Sequence, residues 1–301
     1  MKKVNILMSA YNGEKYIGEQ IESLLKQTYG DIEIHIRDDG STDNTKSIIK
    51  KYMSDPRIKL YEGQNIGYKK SFYWLLSNCK DAEYFAYCDQ DDIWDVNKIE
   101  RSVKILEKYD EIPALYLCDF FWSDEKAKPL RRNKGYRKKH YLEKYITAGD
   151  INTFGFSEVF NLKAAEGIWN KECTSKLVHD QVIYLYCYCN GKVIWDDKAN
   201  VYYRRFGENA SVQEMVGGNK WSHFLWRVKT FLLKSSREDV YARYKEFLEA
   251  FQNDIPNKDA KKIEFYIKKG HRLKKAFFTK RYRETLVDEI AIRILFLIGR
   301  M

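Results

Sequence analysis

The sequence predicts an α/β fold, a mostly parallel sheet flanked by helices with a C-terminal helical extension, and three observations predict it. Short apolar runs alternate with segments of helical spacing over the first 121 residues. Two acidic clusters, at residues 38–43 and 89–92, each follow an apolar run. From residue 221 the pattern becomes helical only. Strands that alternate with helices favour βαβ units and a parallel sheet.

The predicted elements follow one another in a regular order. Apolar runs predict strands at residues 4–9, 32–37, 57–61, 84–88 and 114–121. Apolar side chains that recur every three or four residues predict helices at residues 14–27, 42–53, 68–78 and 97–109. The pattern loosens further on, with strands expected at residues 154–160, 192–195 and 200–203, a helix at residues 178–189, and a basic loop at residues 126–139.

The composition excludes several classes of protein. With 44% apolar residues and only 4 Pro, the chain can bury a sizeable core and is not disordered. The 6 Cys form no C-x-x-C pair, which argues against a zinc finger and favours a reducing, cytoplasmic location. No apolar stretch approaches the roughly twenty residues of a membrane span.

The charge divides the chain into two parts. Residues 1–211 hold 33 Lys and Arg against 32 Asp and Glu, whereas residues 212–301 hold 20 against 11. We therefore predict a sheet domain at 1–211 and a basic helical region at 212–301.

The basic region allows three interpretations. It is an ordinary solvated helical surface, a surface that docks on an anionic membrane, or a nucleic-acid-binding surface. Aromatic side chains beside lysines suit an interfacial helix, and they are Trp221, Phe224, Trp226 and Phe231. Nucleic acid is the weakest of the three because the chain carries no DNA- or RNA-reading motif.

The acidic clusters are the candidate functional residues. In parallel sheets ligands bind beyond the carboxyl ends of the strands, where both clusters are predicted. The first cluster is either a turn whose Ser41 or Thr42 caps the next helix, or a site where Asp39 accepts a hydrogen bond from a pyrimidine base. The second crowds three carboxylates after a buried strand. Mg²⁺ or Mn²⁺ takes one or two carboxylates and completes its shell with phosphate oxygens, so we expect a metal there, and a solvated loop is the alternative.

Five segments together resemble the family 2 glycosyltransferases of the GT-A fold. They are residues 6–12, 23–29, 37–43, 65–67 and 88–94, in that order and spacing. The Asp-Gln-Asp-Asp-x-Trp form of the last segment is similar to the bacterial rhamnosyltransferase-like branch.

The resemblance implies a role for each matching residue. The donor nucleotide is expected to contact Ser9, Ala10, Tyr11, Asn12, Asp39, Lys70, Asp89 and Gln90. The donor sugar and diphosphate are expected to contact Asp92, Arg204 and Arg205. Asp91 is the implied ligand of Mn²⁺ or Mg²⁺. For Lys70, a solvated position on a helix is an equal alternative.

The implied catalytic base is Asp180, within His179-Asp180-Gln181. The alternative is an N-cap for a helix that begins near Val182, and both roles are compatible. His179 is interpreted as a neighbouring structural group.

Two segments depart from the family pattern. Phe206 stands where the related branch has a His after Tyr-Arg-x, and it cannot coordinate a metal. Either Arg204 or Arg205 then neutralises the diphosphate, or the metal binds more weakly. Residues 153–157 lack the usual Thr-Gly-rich pattern, so the specificity for sugar and acceptor cannot be transferred.

The resemblance implies an inverting, metal-dependent hexosyltransferase that uses a UDP- or dTDP-linked sugar. The acceptor would be a hydroxyl of a growing bacterial surface glycan, such as a capsule, and the specific form is rhamnosyl transfer to a lipid-linked acceptor. The protein would be cytoplasmic and peripheral on the inner face of the cell membrane. The alternative is a non-catalytic relative that binds a nucleotide sugar or a partner.

Overall fold

The computed structural model describes residues 1–133, 154–169, 171, 178–205, 236–268, 270–282 and 286–299. These residues form two compact units. The first contains the described residues up to 205 apart from Lys171, and the second contains Lys171 and the described residues from 236 onward. The predicted boundary at residue 211 lies outside the described residues, as do Phe206, Trp221, Phe224, Trp226 and Phe231.

The first half of the sheet follows the predicted alternation of strands and helices. Its elements are β1 (Val4–Ala10), α1 (Ile17–Leu25), β2 (Ile32–Asp38), α2 (Thr45–Tyr52), β3 (Ile58–Glu62), α3 (Tyr68–Asn78) and β4 (Tyr84–Asp89). β1 pairs in parallel with both β2 and β4, and β2 pairs in parallel with β3. The carboxyl ends of β1, β2 and β4 therefore lie side by side.

The second half of the sheet is mixed. It consists of β5 (Ile93–Trp94), α4 (Lys98–Leu106), β6 (Ala114–Ser123), β7 (Pro129–Arg132), β8 (Glu158–Asn161), α5 (Leu162–Glu166), α6 (His179–Asn190) and β9 (Lys192–Arg204). The strand order in the described residues is β3-β2-β1-β4-β8-β6-β9-β5, with β7 beside β6. β8 runs antiparallel to both β4 and β6, and β6 runs parallel to β9. The predicted mostly parallel α/β sheet is confirmed.

Strand β9 differs from the two short strands expected at 192–195 and 200–203. It is continuous because the intervening polar residue Asp196 is held inside the fold. Tyr116 Oη donates to its carboxylate at 2.7 Å, and the Arg101 guanidinium pairs with it. Irregular pairing with β6 around Asp119 accommodates the extra residues.

One apolar core lies on one face of the sheet. Buried side chains from the strands meet those of α1 and α4, among them Ile6, Met8, Ile21, Leu24, Ile34, Ile36, Ala86, Cys88, Ile99, Val103 and Tyr116. This packing holds the strand ends rigidly, so the loops beyond them have a fixed base.

The second unit is helical in its described residues. It comprises α7 (Ser236–Phe251), α8 (Asn257–Ile267), α9 (Arg272–Ala276) and α10 (Leu286–Leu297). Its buried side chains include Phe247, Phe251, Ile263, Tyr282 and Phe296. Lys171 joins this unit through an ion pair with Asp254. Within the described parts of the chain, no helix combines the length and the apolar character that crossing a membrane requires.

Candidate active site

The end of β2 forms a buried turn that contains the first acidic cluster. Asp38 Oδ2 accepts hydrogen bonds from the backbone N–H groups of Gly40 at 3.2 Å and Ser41 at 3.0 Å. Gly40 has a φ of 80°, and a Cβ there would lie 3.0 Å from the Asn65 nitrogen. Neither Ser41 nor Thr42 caps the next helix; Asp43 instead accepts from the Thr45 N–H at 3.0 Å.

Asp39 ties this turn to the start of α3. Its carboxylate accepts from the backbone N–H groups of Ile66 at 2.9 Å and Gly67 at 2.8 Å, and it pairs with the Arg37 guanidinium. Only 1% of Asp39 is exposed. Charge-assisted bonds to three donors hold the carboxylate in one orientation, so any contact with a nucleobase must use its remaining acceptor capacity.

The loop after β1 is held against the loop after β4. Gln90 Nε2 donates to the Tyr11 carbonyl at 2.9 Å, and the Tyr11 N–H donates to Gln90 Oε1 at 2.9 Å. Asn12 has a left-handed φ of 46°, and its N–H donates to Ser41 Oγ at 3.0 Å. The Tyr11 residue is 44% exposed. The loops after β1, β2 and β4 therefore meet around an accessible aromatic ring.

Ser9 and Ala10 lie at the end of β1, below that loop. Ser9 Oγ donates to Ser71 Oγ at 2.8 Å, which connects β1 to α3. The Ala10 carbonyl accepts from the Asp39 N–H at 2.7 Å. These contacts position both residues at the mouth of the strand ends.

The second acidic cluster brings carboxylates into mutual repulsion. Burial, followed by the charges of Asp91 and Asp180, raises the pKa of Asp89 to about 7. Burial, followed by the charges of Asp91 and Asp89, raises the pKa of Asp92 well above its usual range. Burial also raises the pKa of Asp91. Because like charges raise a carboxyl pKa mainly at short range, Asp91 and Asp180 both lie near Asp89 in the fold.

Asp180 lies in the first turn of α6 and is not the N-cap. Helix α6 begins at His179, with Val178 in the capping position. Asp180 Oδ1 accepts from the Gln181 N–H at 2.7 Å. The first turn of a helix is a favourable position for an acidic side chain, because the helix dipole is positive there.

His179 packs as a buried aromatic group. Its ring stacks on Phe72 with centroids 3.9 Å apart and contacts Tyr87 edge-on at 4.6 Å. Burial lowers the pKa of His179 to about 3. Gly155 leaves room for the ring, because a Cβ there would lie 2.9 Å from Nε2. His179 is therefore neutral and fixes the start of α6.

The predicted cationic residues lie in different surroundings. Arg204 is fully buried, pairs with Glu19 and lies 4.8 Å from the Tyr16 ring centroid. The backbone N–H of Arg204 donates to Asp92 Oδ1 at 3.1 Å. The Arg204 charge lowers the pKa of Asp91, whereas burial raises it.

Arg205 and Lys70 are set apart from this pairing. The Arg205 guanidinium lies 4.9 Å from the Trp122 ring centroid. Lys70 is exposed on α3, and in the described structure no contact joins it to the acidic cluster. The half-buried neighbour Lys69 is the lysine whose charge acts on His179.

Three buried polar residues of the site were not identified from the sequence. Gln20 Nε2 donates to the Asp89 carbonyl at 3.2 Å and holds the end of β4. Lys98 and Glu158 are both fully buried, and neither side chain has a hydrogen-bond partner among the described residues. Of these three residues, only Glu158 has a recognisable signal in the sequence, because it is a charged residue in the apolar run that forms β8.

The charges of Lys98 and Glu158 interact with those of the nearby carboxylates. Burial lowers the pKa of Lys98 to about 8, and its Nζ lies 3.1 Å from the Trp94 ring centroid. Burial, followed by the charge of Asp180, raises the pKa of Glu158 well above its usual range. The Lys98 charge lowers the pKa of Asp89 and thus partly offsets the acidic cluster.

The residues of the acidic cluster supply only some of the ligands that a divalent cation needs. Among the described residues, no three His, Cys, Asp or Glu side chains form a ligand group for a metal ion. One or two carboxylates are nevertheless what Mg²⁺ or Mn²⁺ takes when phosphate oxygens supply the other positions. The mutual repulsion of Asp89 and Asp91 is the chemistry that such a cation would relieve.

Comparisons with known proteins agree with this geometry. The model of glycosyl transferase family 2 matches residues 5–161. An uncharacterized glycosyltransferase of Rickettsia typhi is 35% identical over 127 residues, 42% of this chain and 39% of the relative. The Escherichia coli UDP-Glc:alpha-D-GlcNAc-diphosphoundecaprenol beta-1,3-glucosyltransferase WfgD is 35% identical over 35% of this chain and 41% of its own. Glycosyltransferase GlyG of Streptococcus pneumoniae is 26% identical over 84% of this chain and 79% of its own.

Solved structures share the fold. S. aureus TarS in complex with UDP-GlcNAc matches with a TM-score of 0.59 at 16% identity, over 95% of each chain. The mannosyltransferase PcManGT of Pyrobaculum calidifontis, in complex with GDP-Man and Mn²⁺, matches with a TM-score of 0.56 at 15% identity, over 97% of this chain and 74% of that one. The chain spans about two fifths of the length of the Rickettsia typhi relative. Because the family model covers more than half of the 301 residues, the chain belongs to glycosyl transferase family 2, on a GT-A fold.

Proposed function

We propose that this protein transfers a sugar from a UDP- or dTDP-linked donor to a hydroxyl of a bacterial surface glycan, with inversion at the anomeric carbon. One observation carries the proposal: the charges of Asp91 and Asp180 both act on Asp89, at the carboxyl end of β4. A carboxylate for proton transfer and carboxylates for a diphosphate-bound cation are what this reaction requires.

The nucleotide is assigned to the crevice around Tyr11 and Asp39. The exposed Tyr11 ring offers a face on which a pyrimidine can stack. Asp39 is buried beside it and can accept from a ring N–H in addition to its internal donors. Uracil as the donor base is supported by two similar proteins: the name of WfgD includes UDP-Glc, and TarS was solved in complex with UDP-GlcNAc. The candidate donor sugars are rhamnose, glucose and N-acetylglucosamine.

The diphosphate is assigned to Asp91 and its neighbours. A bound Mn²⁺ or Mg²⁺ offsets the charge that grows on the departing diphosphate. Asp91 would hold that cation and Asp89 would flank it. Arg204, buried and paired with Glu19, stabilises this region by charge at a distance, and Arg205 is the cation with fewer internal partners.

Asp180 is assigned the proton transfer. The acceptor oxygen attacks the anomeric carbon as the bond to the diphosphate oxygen breaks, and the hydroxyl proton passes to the Asp180 carboxylate. This single displacement inverts the configuration and requires no covalent intermediate on the enzyme. His179 orients the turn that presents Asp180.

The acceptor is assigned to a lipid-linked oligosaccharide. Support comes from WfgD, whose name gives a diphosphoundecaprenol-linked acceptor. The location that follows is the cytoplasmic side of the cell membrane, with peripheral attachment.

A non-catalytic nucleotide-sugar-binding protein is the second candidate, because Phe206 replaces the His expected in the related branch. The test incubates the purified chain with UDP- and dTDP-sugars, with Mn²⁺ or with EDTA, and measures released nucleoside diphosphate. Mn²⁺-dependent release supports the transferase. Donor binding without release under any condition favours the second candidate, and the absence of donor binding overturns both.

A further inference from the structure

Helix α10 carries an apolar stripe that the described parts of the protein leave uncovered. Exposed apolar residues recur every three or four positions: Leu286 (67%), Ile290 (51%), Ile294 (51%), Leu297 (40%) and Ile298 (51%). Side chains at this spacing lie on one face of a helix. The opposite face packs inward through Ile292, Leu295 and Phe296, so the stripe is not a consequence of poor packing.

The neighbouring helix α9 extends the exposed apolar surface. Leu273 is 67% exposed and Phe277 is 73% exposed. Arg293 of α10 donates to the Ala276 carbonyl at 2.7 Å, which holds the two helices together. Seven of the fifteen large apolar residues exposed in the described structure lie within residues 273–298. Scattered exposed apolar residues are ordinary, whereas such a concentration marks an interaction surface.

The exposed charges around these helices are mostly positive. Of the acidic residues whose burial is described from residue 257 onward, Asp259 and Glu289 are buried, each 4% exposed, and Glu264 is exposed. Cations stand outside: the exposed lysines and arginines of the described residues from 257 onward are Lys258, Lys261, Lys262, Lys268, Arg272, Lys274 and Lys280. In sequence, residues 257–301 carry 13 Lys and Arg against 5 Asp and Glu. The partner of this surface is therefore anionic as well as apolar.

We propose that α9 and α10 dock this protein on an anionic lipid surface, with the apolar stripe of α10 among the acyl chains and the surrounding lysines and arginines at the headgroups. Helix α10, with 12 residues, is about 18 Å long, too short to cross the hydrocarbon layer, so it lies in the plane of the interface.

Other partners fit the surface less well. A second copy of this chain would bring two equally basic surfaces together, and like charges repel. Nucleic acid supplies the negative charge but no apolar surface for the stripe. An anionic bilayer supplies both. The inference rests on the proposed function only for the purpose of docking, which is to reach a lipid-linked acceptor. Docking itself is measured as vesicle binding, without turnover.

The test is co-sedimentation of the full chain with vesicles. We expect partition onto vesicles that contain phosphatidylglycerol, weak partition onto pure phosphatidylcholine, and loss of binding as salt is raised. The Ile290→Ser/Ile294→Ser variant is expected to partition at least about tenfold less, because it removes apolar area from the stripe. The Lys274→Glu/Lys280→Glu variant is expected to lose the preference for phosphatidylglycerol.

A matched control makes the same chemical change in the other unit. Ile112→Ser/Leu130→Ser alters two exposed apolar residues, 41% and 67% exposed, and is expected to bind vesicles as the unaltered chain does. Equal vesicle binding by the Ile290→Ser/Ile294→Ser variant overturns the proposal. The proposal is also overturned if analytical ultracentrifugation shows that the unaltered chain self-associates, and that this variant is a monomer whose vesicle binding is unchanged. Donor turnover is measured separately, so failure of docking and failure of sugar transfer are distinguished.

Discussion

Burial of His179 makes the stability of the sheet unit sensitive to acid. The ring lies between Phe72 and Tyr87, and among the described residues neither ring nitrogen has a hydrogen-bond partner. Burial lowers the pKa from 6.5 to about 3. Below pH 6.5 the unfolded chain therefore takes up a proton that the folded chain refuses, and the free energy of unfolding falls as the pH falls.

The magnitude follows from the interval between the two pKa values. Each pH unit between them removes about 1.4 kcal/mol, so the loss between about pH 6.5 and pH 5 is about 2 kcal/mol. Above about pH 7.5 this histidine contributes no pH dependence. Replacement by Phe keeps a ring between Phe72 and Tyr87 and removes the titrating group.

The measurement is urea unfolding of the unaltered chain and of His179→Phe between about pH 7.5 and pH 5. The difference in unfolding free energy between the two is expected to move by about 2 kcal/mol in favour of the variant as the pH falls. Overpacking by the larger ring shifts all values of the variant equally and leaves this change intact.

Taking the difference isolates His179. Within the described part of the chain, His35 is also buried and has a pKa lowered by burial to about 4, but it titrates in both chains and cancels. His271→Gln serves as the matched control because His271 is exposed. Parallel pH profiles for the unaltered chain and His179→Phe would refute the buried, neutral state assigned to this ring.

Three further predictions concern the crevice. Asp180→Asn is expected to lower transfer by about 10²- to 10⁴-fold with donor affinity preserved, whereas Glu166→Gln, an exposed carboxyl of the same unit, leaves both unchanged; turnover close to normal would remove Asp180 from the base role. Asp91→Ala is expected to abolish the effect of Mn²⁺ on UDP affinity in calorimetry, and an effect as large as that of the unaltered chain would exclude Asp91 as the metal ligand. Gln90→Ala removes both hydrogen bonds to the Tyr11 backbone and is expected to destabilise the chain by about 1–2 kcal/mol and to weaken UDP binding; unchanged UDP affinity would show that this tie does not shape the nucleotide site.

Local patterns predicted the first half of the fold well. The runs that became β1, β2 and β4 are apolar because both faces of a parallel sheet are covered, and such runs are visible without any contact information. The antiparallel placement of β8 between β4 and β6 was not predictable, since strand order depends on pairing between distant residues. The same reason hid the continuity of β9, where Asp196 is accommodated by Arg101 and Tyr116.

The site divides in a similar way. The carboxylates of the second cluster were visible because three of four consecutive residues are acidic after an apolar run. The two bonds between Gln90 and Tyr11, which are 79 residues apart, follow from the adjacency of β1 and β4 and leave no local signal. Lys70 is exposed and its neighbour Lys69 is partly buried, and helical spacing alone does not show which of two adjacent lysines is partly buried.

By itself the sequence determined the α/β alternation, the placement of both acidic clusters at strand ends and the basic character of the C-terminal region. These properties depend on neighbours in the chain, through apolar periodicity and local charge. Only the tertiary structure decided that Asp180 lies near Asp89, that Arg204 pairs with Glu19, and that Lys98 and Glu158 are buried. Burial and the repulsion between carboxylates are set by groups far apart in sequence, and they exist only once the chain has folded.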